Sequence, residues 1–476
     1  MLNTIVKQVK NFREAIYQFF PSRKDAAMEL VDSISSNTQA DSVAELSLNP
    51  LHRRTYCSDT RVISEYYGGM SEKERIVQEN KLTEVLSTCC PKLDKRAYHL
   101  FAVDCTPQPR LFSKRLADRS PVHAPNAVLG NKPITIGHQY SVCVYLPEKN
   151  SMPSRPWVIP LACKRVKTTK NGTNIGMKQI GNCISQELFK EKLCVSVADC
   201  AYSGSSSLDE VYKNPNHVHV SRLRNNRVLN DSPKKIKKRS KGRPTEYGEK
   251  FELRASHHRK ADEKISFERI SNKGKKQTVR IECWNNILMR GSKGSNSSKK
   301  PFNIFRVRIY NQSGKLLYKR PMWLMSAGVR RGELSPRDVY DIYRQRFDIE
   351  HFFKFGKNHL LMDKLQTPDV LHEEAWWQLT MPAYAQLYLT KPLACHMPTP
   401  WQKHLPEFKL NNREKSPAHV QKDFLRIIQE IGTPAQPPKP RNKCLGRKSG
   451  ELQVRRKVHP VVIKRKKPPN LKKLAA

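Results

Sequence analysis

The apolar positions of this chain repeat with a helical period near the N-terminus. Segments such as 7–20 and 72–86 have amphipathic helical spacing, and few strand signals occur before residue 95. This pattern predicts a separate small helical domain over residues 1–95.

Short apolar runs between breakers follow. The predicted strands cover 96–104, 140–145, 157–162, 193–199 and 218–224, and the spacing over 175–193 is helix-like. Three strands, a helix and two more strands are the order expected of a mixed α/β sheet covered by helices.

Two of the predicted strands end on an aspartate. Asp104 closes the first run and Asp199 closes the fourth, and turn-forming residues follow each of them. Because side chains at the strand ends of an open α/β sheet meet in one crevice, we expect the two acids to be neighbours. Taken singly, either acid has a simpler explanation, since aspartates often close strands and begin turns.

A further helix has clear start signals. Ser335, Pro336 and Asp338 supply an N-cap, a proline in the first turn and a capping acid. If the helix continues to residue 357, a phenol, a guanidinium, a carboxylate and an ammonium fall within roughly 60° of arc on one face. These groups belong to Tyr343, Arg346, Glu350 and Lys357.

Such a face suits a metal-bound phosphodiester, with the carboxylate on the cation and the other three groups on phosphate oxygens. The alternative is an amphipathic helix whose charged residues form ordinary spaced ion pairs. Glu350 would complete an acid triad with Asp104 and Asp199. Three neighbouring acids repel unless a divalent cation neutralises them, and an all-oxygen set selects Mg²⁺ or Mn²⁺.

The charge of the chain indicates the kind of partner. The 476 residues contain 87 Lys and Arg against 43 Asp and Glu, a net charge of +44, which favours a polyanion such as nucleic acid. There is no apolar run of about 18 residues and no signal-peptide pattern, so we expect a soluble, intracellular protein. Twelve cysteines without a Cys-x-x-Cys pair argue against structural zinc.

The spacing of Tyr343, Arg346, Glu350 and Lys357 resembles the Tyr-Arg-Glu-Lys signature of bacterial insertion-sequence DDE transposases. The sequences around the aspartates, 102–106 and 197–203, are also similar to that family, and the likeness covers roughly residues 95–405. It implies an RNase H-like core divided into residues 96–230 and 326–405. Between them it implies a mostly β insertion over 231–325, which strand-like runs at 278–284 and 303–310 suit.

The resemblance also implies an activity. The acid triad would bind two Mg²⁺ or Mn²⁺ ions for cleavage of a phosphodiester at an element end and for transfer of the free 3′-hydroxyl to other DNA. Tyr343, Arg346 and Lys357 would hold phosphates rather than read bases. The partner would be double-stranded DNA at element ends and target, bound by a homodimer in the nucleoid of a bacterial cytoplasm.

Further DNA contacts are expected outside the core. Lys237, Lys238, Arg239 and Arg243 lie in a dense basic run that we interpret as a phosphate-contacting loop, the alternative being a solvated loop. Residues 1–95 are the candidate DNA-binding domain. The basic segment 406–476 is predicted to be a largely flexible tail with salt-sensitive, nonspecific DNA affinity.

The family also places a tryptophan of the insertion against a flipped base. Trp284 is the candidate here, and Trp323 fits equally well by composition. Either ring could instead be part of the core. Three functions stay open: an active transposase, a noncatalytic DNA-binding protein derived from one, and an RNase H-like structure-specific nuclease.

Overall fold

The computed structural model places most of the chain in defined elements. The described residues are 2–110, 113–123, 134–149, 155–233, 245–271, 274–291, 297–395, 414–440, 449–450, 452 and 458–461. The α-helices within them are α1 (Leu2–Phe19), α2 (Lys24–Ser35), α3 (Tyr56–Glu65), α4 (Glu72–Ser87), α5 (Gly172–Ile184), α6 (Ser205–Val211), α7 (Pro336–Gln345), α8 (Asp348–His359), α9 (Val370–Thr390) and α10 (Pro417–Ile431).

Most of the strands form a single mixed sheet. The strands are β1 (Tyr98–Pro109), β2 (Ser120–His123), β3 (Ile134–Tyr145), β4 (Ile159–Val166), β5 (Leu193–Ala198), β6 (His217–Arg222), β7 (Val228–Asn230), β8 (Lys250–Glu252), β9 (Glu263–Ile270), β10 (Lys276–Ile287), β11 (Phe302–Asn311) and β12 (Met322–Ala327). In the described part of the chain, ten of them join in the order β2-β3-β1-β5-β6-β12-β11-β10-β9, with β4 also paired to β3. Strands β7 and β8 form a separate pair.

The centre of this sheet is parallel and its flanks are antiparallel. Strand β5 lies between β1 and β6 and runs parallel to both. Strands β3 and β4 continue antiparallel on one side, and β12 joins β6 antiparallel on the other. This mixed α/β architecture, with a large sheet and several helices, confirms the predicted class and is compatible with an RNase H-like DDE fold.

The predicted strands lie within the observed ones or differ by a few residues, with one consequential difference at β1. The sequence predicts that the first strand ends at Asp104, but β1 continues to Pro109, and Asp104 pairs with Val142 in its middle. Prolines at 107 and 109 do not stop the strand, because partner strand β3 supplies the remaining ladder there. Asp199 follows directly after β5, as predicted.

The helix that carries the signature residues is divided. It begins as predicted, with Ser335 and Asp338 in a reciprocal capping box and Pro336 in the first turn. The prediction of a single helix that reaches residue 357 is wrong, because α7 ends at Gln345 and α8 begins at Asp348. At the turn, the N–H of Glu350 donates to the carbonyl of Phe347, three residues back rather than four.

The four N-terminal helices share their core with the rest of the chain. The sequence predicts residues 1–95 as a separate domain, whereas in the structure α1–α4 pack on α9 within one hydrophobic core. Buried Arg13 makes two hydrogen bonds to Asp32 and a third, of 2.9 Å, to Gln386 on α9. This buried polar contact joins the N-terminal helices to α9.

Part of the predicted flexible tail is an ordered helix. Helix α10 buries Val420, Phe424 and Ile428 against α8 and α9. These positions repeat every four residues, which is a helical spacing. The prediction of a flexible tail was based instead on the basic composition of residues 406–476. The prediction of a largely flexible tail is therefore wrong for residues 417–431.

The β segment near residues 231–325 extends the main sheet and has a core of its own. Strands β9, β10 and β11 attach to the sheet through β12. On one face a second cluster of buried residues includes Phe251, Trp284, Trp323 and Met325. On the other face, α7 packs across β6, β10 and β12.

Candidate catalytic site

Asp104 lies on β1, at the centre of the sheet. Close packing fixes the strand from behind: a Cβ added to Gly176 of α5 would lie 2.7 Å from Cγ2 of Val103 and 2.9 Å from Oη of Tyr202. The neighbouring residue Asp104 directs its carboxylate to the side of α7 and α8, where Arg346 approaches it. Its Oδ1 accepts a hydrogen bond of 2.8 Å from the N–H of Cys105.

Asp199 lies at the carboxyl end of the adjacent strand β5. Its Oδ1 accepts a hydrogen bond of 2.8 Å from the N–H of Ala201 and so caps a short 3₁₀ turn. One carboxylate oxygen is thereby oriented by the local backbone. The side chain is partly exposed.

Arg346 forms ion pairs with both Asp104 and Glu350. Its Nη2 lies 2.7 Å from Oε1 of Glu350, and its Nη1 lies 3.6 Å from Oδ2 of Asp104. The arginine side chain is only 7% exposed, whereas the Glu350 side chain is 50% exposed. A nearly buried guanidinium therefore neutralises one carboxylate from β1 and one from α8.

The other signature residues lie on either side of this arginine. The ring of Tyr343 is buried, and the guanidinium carbon of Arg346 lies 5.7 Å from its centroid. Burial raises the pKa of Tyr343, and the neighbouring guanidiniums of Arg346 and Arg222 oppose that shift. Lys357 donates from Nζ to the carbonyl of Pro107, near the end of β1. Burial lowers the pKa of Lys357.

The electrostatics of Asp104 indicate that the acids of the triad interact. Burial raises the pKa of Asp104 from 3.8 to about 6, and Asp199 and Glu350 both add to the shift. The Cys105 N–H and the Arg346 guanidinium act in the opposite direction. Mutual repulsion among three carboxylates is the condition that a divalent cation relieves, and the all-oxygen donor set fits Mg²⁺ or Mn²⁺.

The acids are nevertheless not arranged as a metal centre. Among the residues that the structure describes, no group of three or more His, Cys, Asp or Glu side chains could hold a metal ion. Arg346 forms ion pairs with both Asp104 and Glu350. Its guanidinium therefore supplies the positive charge that these two acids would otherwise receive from a metal ion.

The assignment of Trp284 to base stacking requires correction. Its side chain is 1% exposed and its Nε1 donates a 2.9 Å hydrogen bond to the carbonyl of Arg259. The ring packs against Phe251 and Trp323 in the second core, and Trp323 is equally buried. A ring enclosed in this way offers no face to a nucleotide. Lys237, Lys238, Arg239 and Arg243 lie outside the described residues.

Three residues near the acids were not predicted from the sequence to have a function. Arg222 and Arg224 are exposed at the end of β6, and contacts with Cys200 and Asp199 raise the pKa of Arg224. Phe347, in the turn between α7 and α8, is 45% exposed, with its ring 4.5 Å from the guanidinium carbon of Arg346. The position of Phe347 inside the signature is visible in the sequence. Its exposure is not, because it depends on the break between the helices.

The mixed sheet, with Asp104 and Asp199 on the adjacent parallel strands β1 and β5, is compatible with a DDE-type nuclease. The comparisons agree: the chain matches the family described as DDE superfamily endonuclease over residues 15–287. This match spans more than half of the chain, so the protein belongs to the DDE superfamily endonuclease family. The matched segment contains Asp104 and Asp199 and ends before Glu350.

Two further findings bear on the class of protein. No curated protein matches the chain significantly. Within the described residues, none of the helices is both long enough and apolar enough to cross a membrane. Family membership indicates a transposase-type nuclease that acts on DNA, and members of this superfamily typically use divalent metals.

Proposed function

We propose that this protein is an insertion-sequence transposase that cuts DNA at element ends and transfers the resulting strand to a target. The observation that carries the proposal is the interaction of Asp104 with both Asp199 and Glu350, although the three residues come from distant parts of the chain. Acids placed close together repel one another, and in this structure Arg346 pairs with only two of the three.

In this proposal Asp104, Asp199 and Glu350 would hold two Mg²⁺ or Mn²⁺ ions in place of the ion pairs that Arg346 makes with two of them. The bound metal would supply an activated water and stabilise the departing 3′-oxygen. Asp199 keeps one oxygen on the backbone of its 3₁₀ turn, which orients the other. Glu350 is half exposed, and release of its ion pair with Arg346 leaves its carboxylate free to turn inward.

The cationic side chains then act on phosphate. Arg346 would then bind phosphate, because a guanidinium can donate two parallel hydrogen bonds to two oxygens of one phosphate. Lys357 is hydrogen-bonded near the end of β1. Together with Tyr343, it would position the neighbouring phosphates of the DNA backbone. Exposed Phe347 takes the base-contacting role that the buried Trp284 does not offer.

The partners follow from the reaction. Joining two element ends to a target requires both ends in one complex, which is the reason to propose a homodimer on double-stranded DNA. Nucleoid DNA of a bacterial cell would then be the site of action. The basic run with Lys237, Lys238, Arg239 and Arg243 would contribute phosphate contacts.

Cleavage assays on duplexes carrying the sequences that flank the gene test this proposal. Asp104→Asn, Asp199→Asn and Glu350→Gln should each lower Mg²⁺-dependent cleavage by about 10³-fold or more while DNA affinity stays near wild type. Asp341→Asn, a half-exposed acid of α7 outside the triad, is the matched control. Cleavage that survives all three substitutions contradicts the proposal, and cutting of branched DNA without joining indicates a nuclease instead.

A noncatalytic DNA-binding protein is the second candidate. The ion pairs of Arg346 with Asp104 and Glu350 favour it, because they satisfy two of the three acids without metal. Mn²⁺ binding to the metal-free protein discriminates the two functions. Saturable binding that Glu350→Gln weakens supports the transposase, and absence of binding supports the noncatalytic protein.

A further inference from the structure

A loop between β11 and β12 exposes apolar and basic side chains together. Residues 312–321, here called the basic-aromatic loop, include Leu317 at 39% exposure and Tyr318 at 61%. Their neighbours Lys315, Lys319 and Arg320 are exposed as well, and the loop contains no acid. Apolar and basic side chains exposed together are typical of a surface that contacts nucleic acid.

Backbone and side-chain hydrogen bonds hold this loop in a defined conformation. The N–H of Lys315 donates a hydrogen bond of 2.8 Å to Oδ1 of Asn311, and the Ser313 hydroxyl donates one of 2.9 Å to the same oxygen. The N–H of Leu317 donates 2.8 Å to the carbonyl of Ile309. The outward placement of Leu317 and Tyr318 is therefore a property of the ordered loop.

The topology places the loop at the same edge of the sheet as the acid triad. Strand β12 begins at Met322, directly after the loop, and runs antiparallel to β6, so the loop lies where β5 and β6 end. Asp199 and Arg222 occupy that edge. Burial raises the pKa of Tyr340 on α7, and Tyr318 makes a smaller contribution in the same direction. This interaction indicates that the loop lies near α7, the helix that carries Tyr343.

Other cations extend the positive surface around the loop. Arg269 donates from Nη1 to the hydroxyl of Tyr340, and the guanidinium carbon of Arg344 lies 5.8 Å from the Tyr340 ring. With the loop, these arginines place several cations around Tyr340, where Asp341 is the neighbouring acid. A surface on which cations outnumber acids in this way fits a polyanionic backbone.

We propose that the basic-aromatic loop is a second DNA-contacting element. Lys315, Lys319 and Arg320 bind backbone phosphates, while Leu317 and Tyr318 lie against sugars and base edges in the adjacent minor groove. The choice of DNA as the partner rests on the proposed function. The loop would hold the duplex beside the acids through contacts that the signature residues do not make.

Photocrosslinking from the full-length protein tests the contact directly. With p-benzoylphenylalanine in place of Tyr318, ultraviolet light should join the protein to a 40-base-pair duplex of mixed sequence. The matched control places the same residue at Leu188, which is 52% exposed beside Lys190 at the opposite edge of the sheet, and no such product is expected. A product joining two protein copies, or no product at position 318, overturns the inference.

Salt dependence tests the phosphate contacts independently. The double substitution Lys315→Ala with Lys319→Ala should reduce the slope of log affinity against log salt by about 2, which is close to 0.9 for each lost contact. Lys190→Ala with Lys192→Ala removes the same charge from the opposite edge and should leave the slope unchanged. Equal slopes for both double variants contradict the inference.

The two proposals fail in different ways. If the wild-type protein does not cut the flanking DNA but crosslinks from position 318, the proposed function fails and the DNA contact stands. If the wild-type protein cuts that DNA while position 318 gives no crosslink, the loop has no such role and the transposase proposal stands.

Discussion

The guanidinium of Arg346 contacts the carboxylate of Glu350 across the break between α7 and α8, with 2.7 Å between Nη2 and Oε1. The same guanidinium reaches Asp104 on β1. Because the arginine is nearly buried, this pairing is shielded from solvent more than an ordinary surface ion pair. It defines a state in which the acids are neutralised by the protein itself.

Removal of Arg346 should therefore increase metal affinity while it damages catalysis. In metal-free protein, Arg346→Ala should bind Mn²⁺ about tenfold more tightly, which corresponds to about 1.4 kcal/mol. Electron paramagnetic resonance of free Mn²⁺ measures the affinity without any reaction. Arg337→Ala, an exposed arginine of α7, is the control and should leave Mn²⁺ affinity unchanged. Weaker binding by Arg346→Ala would contradict the displacement of this side chain by metal.

The two aromatic candidates for a base contact should respond differently to alanine. Trp284→Ala empties a large buried volume and should lower the free energy of unfolding by about 3–5 kcal/mol. Phe347→Ala removes a half-exposed ring and should lower it by less than about 1 kcal/mol. Loss of one stacked base predicts that Phe347→Ala weakens DNA binding by roughly tenfold. Urea unfolding and fluorescence anisotropy separate the two effects, and a wild-type DNA affinity for Phe347→Ala would exclude the contact.

A buried carboxylate on α9 should be essential for stability. Glu373 accepts hydrogen bonds from Nη1 of Arg110 at 2.7 Å and from the Tyr140 hydroxyl at 2.8 Å, and Nδ1 of His138 lies 2.6 Å from its Oε1. Glu373→Gln leaves the Arg110 charge buried without an anion and should cost about 3–5 kcal/mol of unfolding free energy.

The neighbouring residue provides the control for this change. Glu374 pairs with Arg165, which keeps Asp118 as a second partner, so Glu374→Gln should cost less than about 1 kcal/mol. Urea unfolding measures both variants. Equal losses of unfolding free energy in the two variants would contradict a special contribution of the hydrogen bonds around Arg110 to stability.

The ionisation of Asp59 predicts a pH dependence of stability. Burial raises the pKa of this carboxyl from 3.8 to about 7, and the nearby Glu29 adds to the shift. Because the pKa is higher in the folded protein, the stability that the protonated acid contributes is complete below pH 3.8 and is lost as the pH rises through about 7. The loss is at most on the order of 4 kcal/mol.

Asp59→Asn removes this titration. The variant should gain stability relative to the wild type as the pH rises from 5 to 8, as measured by urea unfolding at a series of pH values. Asp94→Asn, at an exposed position, should follow the wild-type profile. A difference between Asp59→Asn and the wild type that does not change with pH would contradict a raised pKa in the folded state.

Local patterns in the sequence predicted most elements and failed where tertiary contacts change them. Ser335 and Asp338 predict the start of α7 because a capping box involves only neighbouring residues. The break at 346–347 has no such signal, since every residue there is compatible with a helix. Likewise, the apolar residues of α10 indicate a helix only once α8 and α9 are present to cover them.

By itself, the sequence determined the alternation of strands and helices and the excess of positive charge, and it supplied the three candidate acids. Only the tertiary structure decided that β1 passes beyond Asp104, that Arg346 lies between two acids, and that Trp284 is enclosed while Phe347 is exposed. The physical reason is range. Periodicity and capping depend on residues a few positions apart, whereas burial and ion pairing depend on segments that meet only when the sheet and its helices assemble.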